Sequence, residues 1–383
     1  MKFEINRLAL LEAAKHAARV APLQAPVKEI TGIHMECNDD TGEVFLTATN
    51  YEVVIQQKVT ASVDVPGSIL APPRLLIKML SLMSTEIVTF STNSPDVLIV
   101  KSGRCTFQIK CLPARSYPKP VMPFPEETIK LSGICSLARR TVFAVAKDNS
   151  KPALQCVNIK LRNNAIHAEA CDGLRLILTR DDAGTPNERD FLVPGKSLQM
   201  LAAISTDADV FEVADVGREI VFTRGDMMFT MRKLAADDYI DTHAMIKGIK
   251  PEYSAVADAR QLKEALNAVI IGDEVAPVNL ILTGNQITLQ RNTDYSEAQS
   301  TVQAKITKDT PAQGFYYNGN ALMKLLQVMT GKVRLELDAK GFMMIKTRTE
   351  VYCQTPQRAP AKKDKPAKKT ARAKGADAAK EAA

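Results

Sequence analysis

"FLVPGKSLQMLA", residues 191–202, reads as a short apolar strand that stops at a proline and turns into a helix. The same pattern occurs twice more, as "ILAPPRLLIKML" at 69–80 and "FYYNGNALMKLL" at 315–326. Pro72, Pro194 and Asn318 stand 122 and 124 positions apart at the three helix starts, where proline suits a first turn and asparagine a cap. Leu76, Leu198 and Leu322 take one place in the helices that follow. The offset returns in "LIVKSGRCTFQIKCL", "IVFTRGDMMFTMRKL" and "MIKTRTEVYCQTPQ", which set Phe107, Phe229 and Tyr352 122 and 123 residues apart on a strand after a polar turn. Each copy opens with an amphipathic helix pattern, in "RLALLEAAKHAARVA", "GICSLARRTVFAVAK" and "DARQLKEALNAVI". Alternating runs such as "GEVFLTATNYEVVIQQKV" and "GNQITLQ" read as half-buried strands between the helices. The fold class is therefore α+β, with two helices packed on antiparallel sheets in each of three repeated domains, at 1–122, 123–246 and 247–358. Units of this length are domains rather than turns of a solenoid.

Outside the repeat, residues 359–383 carry eight Lys/Arg against three Asp/Glu and no large apolar side chain. Such a segment buries too little to offset its ordering entropy, so a disordered basic tail is expected, either holding polyanions or solubilising the chain. The remaining 358 residues hold 42 basic and 40 acidic groups and are close to neutral. No uncharged apolar run approaches the roughly 18 residues of a membrane span, and the charged start "MKFEINRLALLEAAKHAARVA" is unlike a secretory signal, so a soluble cytoplasmic protein is expected. The seven cysteines form no CxxC pair and the four histidines no HxxxH pair, so neither a metal nor another cofactor is expected. "VPGKS" (193–197) lacks the first glycine of a phosphate-binding loop, Asp190 standing there, and is a helix start. "AADDYIDTH" (235–243) clusters Asp237, Asp238 and Asp241 as a metal site could, but a surface loop between units explains it.

"AEACDGLRLI" (168–177) looks chemical, with Cys171 beside Asp172. Its counterparts at the repeat offset are "LTATNYEV" and "LQRNTDYSEA", so Cys171 takes the place of Thr49 and of Thr293 or its neighbour. A nucleophile reading fails for want of a nearby histidine, and no catalytic residue is expected. What the middle copy alone has is Gly173, Leu174, Arg175 and Leu176. The six helices hold Arg7, Lys15, Arg19, Arg74, Lys78, Arg139, Arg140, Lys147, Lys196, Arg260, Lys263 and Lys324 against Glu12, Asp258 and Glu264. If they share one side of the sheets, that side is a positive surface fit for a phosphate backbone; the bland alternative is a solvated face with scattered Lys and Arg.

From residue 1 to about 358 the chain resembles the bacterial DNA polymerase III beta subunit, the sliding clamp, through "MKFEI" with "RLALLEAA", "LTATNYEV", "SGRCTFQIKCLPARSYP", "FAVAKDNSKPALQCV", "ACDGLRL" and "KLAADDYID" in the family's order. The resemblance implies three clamp domains per chain and a ring closed by head-to-tail dimerisation, with the helices facing duplex DNA and no chemistry performed. It also implies a cleft between the middle and last domains that receives short peptide motifs of DNA polymerase and clamp loader, formed by Leu154, Cys171, Gly173, Leu174, Arg175, Leu176, Ile240, Met245, Cys353, Thr355, Pro356 and Gln357. Leu174 replaces the family's usual histidine, Ile240 a proline, and Gln354, Thr355 and Gln357 a methionine-rich end. These departures leave open a clamp-like decoy that binds loader or polymerase without acting as a replicative clamp.

Overall fold

The computed structural model describes residues 1–360 apart from 39, 124–126, 149–150, 183–187, 236–238, 271–276 and 294–295; Asp237, Asp238 and nearly all of the basic tail lie outside the described residues. The first unit runs β1 (Lys2–Asn6), α1 (Arg7–Val20), β2 (Ile33–Asn38), β3 (Glu43–Thr49), β4 (Val53–Val65), β5 (Gly67–Ala71), α2 (Pro73–Leu82), β6 (Ile87–Ser94), β7 (Val97–Ser102) and β8 (Cys105–Lys110). The second repeats that order as β9 (Ile129–Ser132), α3 (Ile134–Thr141), β10 (Cys156–Arg162), β11 (Ala165–Cys171), β12 (Arg175–Asp182), β13 (Arg189–Pro194), α4 (Gly195–Ala203), β14 (Val210–Val216), β15 (Glu219–Arg224) and β16 (Met227–Arg232). A connector with α5 (Thr242–Lys247) leads to the third: β17 (Pro251–Asp258), α6 (Ala259–Val269), β18 (Pro277–Thr283), β19 (Gln286–Asn292), β20 (Glu297–Gln303), β21 (Lys305–Ile306), β22 (Phe315–Asn318), α7 (Gly319–Leu326), β23 (Lys332–Asp338), β24 (Met343–Lys346) and β25 (Glu350–Gln354). The boundary read at 246/247 falls inside α5.

Local chemistry sets the helix ends. Pro72, Pro194 and Asn318 are the N-cap residues of α2, α4 and α7, and Asn318 Oδ1 accepts from the Ala321 N–H at 3.0 Å. Asn6 and Asp258 cap α1 and α6 in the same way. The middle opening helix is shorter than its pattern promised. It stops at Thr141, whose hydroxyl bonds back to the Leu137 carbonyl at 2.8 Å, and Val142–Ala144 tighten into a 3-10 turn. Lys147, read as a helix residue, therefore lies in the loop beyond.

All strand pairs are antiparallel, and each unit carries two four-stranded arrays, with β21 added beside β17 in the third. One is ordered β5-β2-β3-β4, with β13-β10-β11-β12 and β22-β18-β19-β20 as its counterparts; the other is β8-β7-β6-β1, with β16-β15-β14-β9 and β25-β24-β23-β17. Within each unit the two helices pack together, and α1, α3 and α6 lie against the first array. Leu76 and Leu198 are fully buried and Leu322 nearly so, which is why leucine recurs at that place.

The units are sewn edge to edge by one rule. β4 pairs with β16, placing Ile55 opposite Phe229, and β12 pairs with β25, placing Ile177 opposite Tyr352. Phe229 and Tyr352 are fully buried as a result, whereas Phe107, their equivalent on β8, stays half-buried. β8 pairs only with β7 and β20 only with β19, so both keep an open edge among the described residues.

Candidate functional site

The hairpin tip between β11 and β12 is built by one carboxylate. Asp172 Oδ1 accepts from the N–H groups of Leu174 (3.0 Å) and Arg175 (2.9 Å), while Oδ2 takes the Arg175 Nε at 2.8 Å. Asn50 closes the equivalent tip in the first unit through Glu52 and Val53, and Thr293 closes the third through Ser296. This fixes the alignment that the sequence left open: Thr49, Cys171 and Asn292, each paired across its hairpin, are the equivalent residues, so it is the neighbour of Thr293 that matches Cys171. Tyr51 sits at the tip with φ +71°, and Gly173 replaces it in the middle unit at φ +87°. Glycine adopts that left-handed backbone without strain and leaves the main chain bare.

Behind the tip, the sheet brings Cys171, Leu176 and Cys353 side by side on β11, β12 and β25, with Met344 next in the row on β24. They form the floor of a cleft of about 390 Å³. Of the residues expected there, Cys171, Gly173, Leu174, Arg175, Leu176, Met245, Cys353 and Thr355 line it. Leu154 and Ile240 pack against the residues of its floor. Pro356 and Gln357 are not on the lining; Gln357 is carried off to β22, where its N–H bonds to the Tyr316 carbonyl at 2.7 Å. Sequence reasoning missed Ile246, Gly248 and Ile249 of the connector and Asp338, Lys340 and Phe342 of the β23–β24 turn. Apolar spacing in "MIKGI" signals the first group, while only the β24–β25 pairing brings in the second.

The connector is fastened from beneath. Asp241 caps α5 by accepting from Ala244 N–H at 3.0 Å, and Tyr239 donates its hydroxyl to the Glu169 carbonyl at 3.3 Å. Arg175 is folded onto the wall, its guanidinium 6.0 Å from the centre of the Phe143 ring. Burial pushes the Cys353 thiol up to about 12, and burial raises Cys171 against the opposing pull of the Gly173 N–H. Neither thiol supplies a thiolate at neutral pH. Among the described residues no group of three or more His, Cys, Asp or Glu could hold a metal ion.

The basic residues divide. Lys15, Arg19, Arg74, Lys78, Lys147, Lys196, Lys263 and Lys324 are exposed. Arg139 reaches Asp207, and Arg260 pairs with Glu264 at 2.9 Å while remaining exposed. Arg139, Lys147, Lys196 and Lys324 surround a groove of about 1030 Å³ between α3, α4 and α7, with Val142, Phe143, Gln199 and Gln327 in its walls. Two residues expected to face a ligand are spent inside instead. Arg7 donates to the carbonyls of Leu80 and Thr85 at 3.0 Å, closing the end of α2. Arg140 bridges Asp181 and Glu350 (3.3 Å to the latter) with its side chain only 12% exposed, tying α3 and β12 to β25 of the next unit.

Among the described residues no helix is long and apolar enough to cross a membrane. Family models described as the DNA polymerase III beta subunit match the chain twice, the N-terminal domain over residues 1–123 and the central domain over 128–238. Curated relatives include the beta sliding clamps of Pseudomonas aeruginosa, 26% identical across 88% of this chain and 93% of the relative, and of Bacillus subtilis, 26% identical across 70% and 73%. Among solved structures, the Bacillus subtilis DNA polymerase sliding clamp superposes with a TM-score of 0.83 at 21% identity, covering 94% of this chain and all of that one. The Pseudomonas aeruginosa clamp bound to griselimycin gives 0.80 at 23% identity with the same coverage.

Proposed function

This chain belongs to the DNA polymerase III beta subunit family, and from that premise we propose that it is a DNA sliding clamp: a ring that encircles duplex DNA and tethers a polymerase to its template. The observation that carries this is the pair of open edges. Two unit junctions inside the chain join a β4-type strand to a β8-type strand, and the two ends of the chain present one unmatched strand of each type, β20 and β8. A second copy satisfies both at once, and six units close. Ala298 pairs with Arg291 as Ile177 pairs with Ala170, so a junction of the same register between copies pairs Ala298 of one with Phe107 of the next. The exposure of Leu82 (70%) at the repeat position where Ile204 is buried (5%) supports the same closing face.

The groove bounded by Arg139, Lys147, Lys196 and Lys324 supports contact with phosphates. Because phosphates repeat without regard to sequence, such contact retains the duplex and lets the ring slide. The cleft holds partners by short apolar segments, with Gly173 admitting a partner main chain and Leu174 and Met245, 66% and 44% exposed, offering apolar contact at the rim. No bond is made or broken. Processivity comes from the effective concentration of a tethered polymerase at its primer end. On this reading the three units are the ring's domains, and the boundary at 246/247 lies within the α5 connector.

Light scattering tests the ring directly. The 41.9 kDa chain runs at twice its mass, and Phe107→Asp, which puts a charge at the closing edge, returns it to single mass with its circular dichroism unchanged. A wild-type monomer at micromolar concentration overturns the reading.

A further inference from the structure

Around the lip of the cleft the carboxylates are fixed in place by the main chain and the lysines are not. Three carboxylates stand near it, and each is committed to the local main chain: Asp172 to the hairpin tip, Asp241 to the start of α5, and Asp338, whose Oδ1 accepts from the N–H groups of Lys340 (2.8 Å) and Phe342 (2.7 Å). The cations are not so committed. Lys340 lines the cleft, Lys247 stands between the lining residues Ile246 and Gly248, and Lys250 follows the lining residue Ile249. All three are exposed, and none has an ion-pair partner among the described residues. Arg175 is the exception, held by Asp172.

We propose that this cleft selects peptides whose apolar anchors are flanked by acidic residues, with Lys340, Lys247 and Lys250 as the residues that read the flanks; the inference rests on the reading of the cleft as a partner-docking site. The apolar floor of Cys171, Leu176 and Cys353 takes the anchors and is indifferent to charge. The lysines set which apolar segments are captured, since like charges brought against an unpaired ammonium are repelled and opposite ones are steered in. The lysines lie on two separate elements, α5 with its following turn and the β23–β24 turn, so more than one acidic flanking residue is favoured.

The test uses the full-length protein and fluorescein-labelled peptides with one trileucine core flanked by Asp, Ser or Lys, followed by anisotropy. At about 0.1 M salt the Asp-flanked probe binds about fivefold tighter than the Ser-flanked one and the Lys-flanked probe weakest, and at about 1 M salt the three converge. Lys340→Glu combined with Lys247→Glu removes the preference, so that the Asp-flanked probe binds no tighter than the Ser-flanked one, while Lys340→Arg keeps it. Equal binding of the three probes at low salt, or a preference that survives the double reversal, overturns the inference while leaving the cleft as a docking site. Failure of every probe to bind removes both.

Discussion

Arg139 and Arg140 are neighbours in the chain with different work. Successive helix residues point about 100° apart, so one turns outward to the groove while the other turns under α3 toward Asp181 and Glu350, which lie 41 and 210 residues away. A count of basic residues cannot separate them, because the partners that claim Arg140 are brought near only by the β12–β25 pairing. Cys171 shows the reverse case, in which the sequence argued against a nucleophile by matching it to ordinary strand positions of the other copies with no histidine nearby. Its neighbour Cys353 makes that quantitative. A thiol pushed by burial to about 12 lies above the ordinary cysteine range near 8.5, so it contributes stability that is complete below that range and lost as pH rises toward 12. In the native chain at pH 8, labelling of Cys171 and Cys353 by a thiol–disulfide reagent is therefore far slower than that of free cysteine and speeds up about tenfold per pH unit, whereas unfolding in guanidinium exposes both at once. Cys105 is exposed and labels regardless, so the site is read by peptide mapping, and rapid labelling of Cys171 or Cys353 in the folded protein at pH 7 contradicts the assignment of the cleft floor as inert.

At the scale of elements, what was legible is what repeats. Leu76, Leu198 and Leu322 with their Pro or Asn caps gave α2, α4 and α7 to within a residue, because capping and burial are local demands written at fixed spacing. The connector helix α5 occurs once, so it had no second copy to reveal it, and it supplies a whole wall of the cleft. The turn at Asp338–Phe342 was silent for a different reason, since a loop's neighbours are set by sheet pairing rather than by its own composition. The junction between the second and third units is held by the Arg140 bridge as well as by backbone pairing. Arg140→Ala leaves Glu350, a buried carboxylate whose pKa burial already raises, without its cation. The expected cost is about 3 kcal/mol, read as a fall of roughly 1 M in the urea midpoint. The change leaves the exposed cations of the groove in place, so DNA retention by the folded protein is preserved. A loss of DNA retention without loss of stability returns Arg140 to the ligand-facing set.

The whole molecule follows from one junction used repeatedly. Every unit offers one strand edge and accepts another; inside the chain this happens twice, and the third use needs a second copy. Helix pairs are kept on the same array in each unit, which on the proposed reading puts exposed lysines and arginines on a shared side, while the cleft proposed for partners forms where the second unit meets the third. Retention on DNA is then a matter of topology and not of affinity, which separates this account from binding by scattered charge. The most direct measurement is therefore retention on nicked circular DNA, loaded by a clamp loader, through a wash at about 1 M salt, where simple phosphate contacts are screened. The account predicts that the protein stays on the circle through the wash and leaves when a single cut makes the DNA linear. Release from the intact circle at high salt, or retention unchanged by the cut, contradicts it.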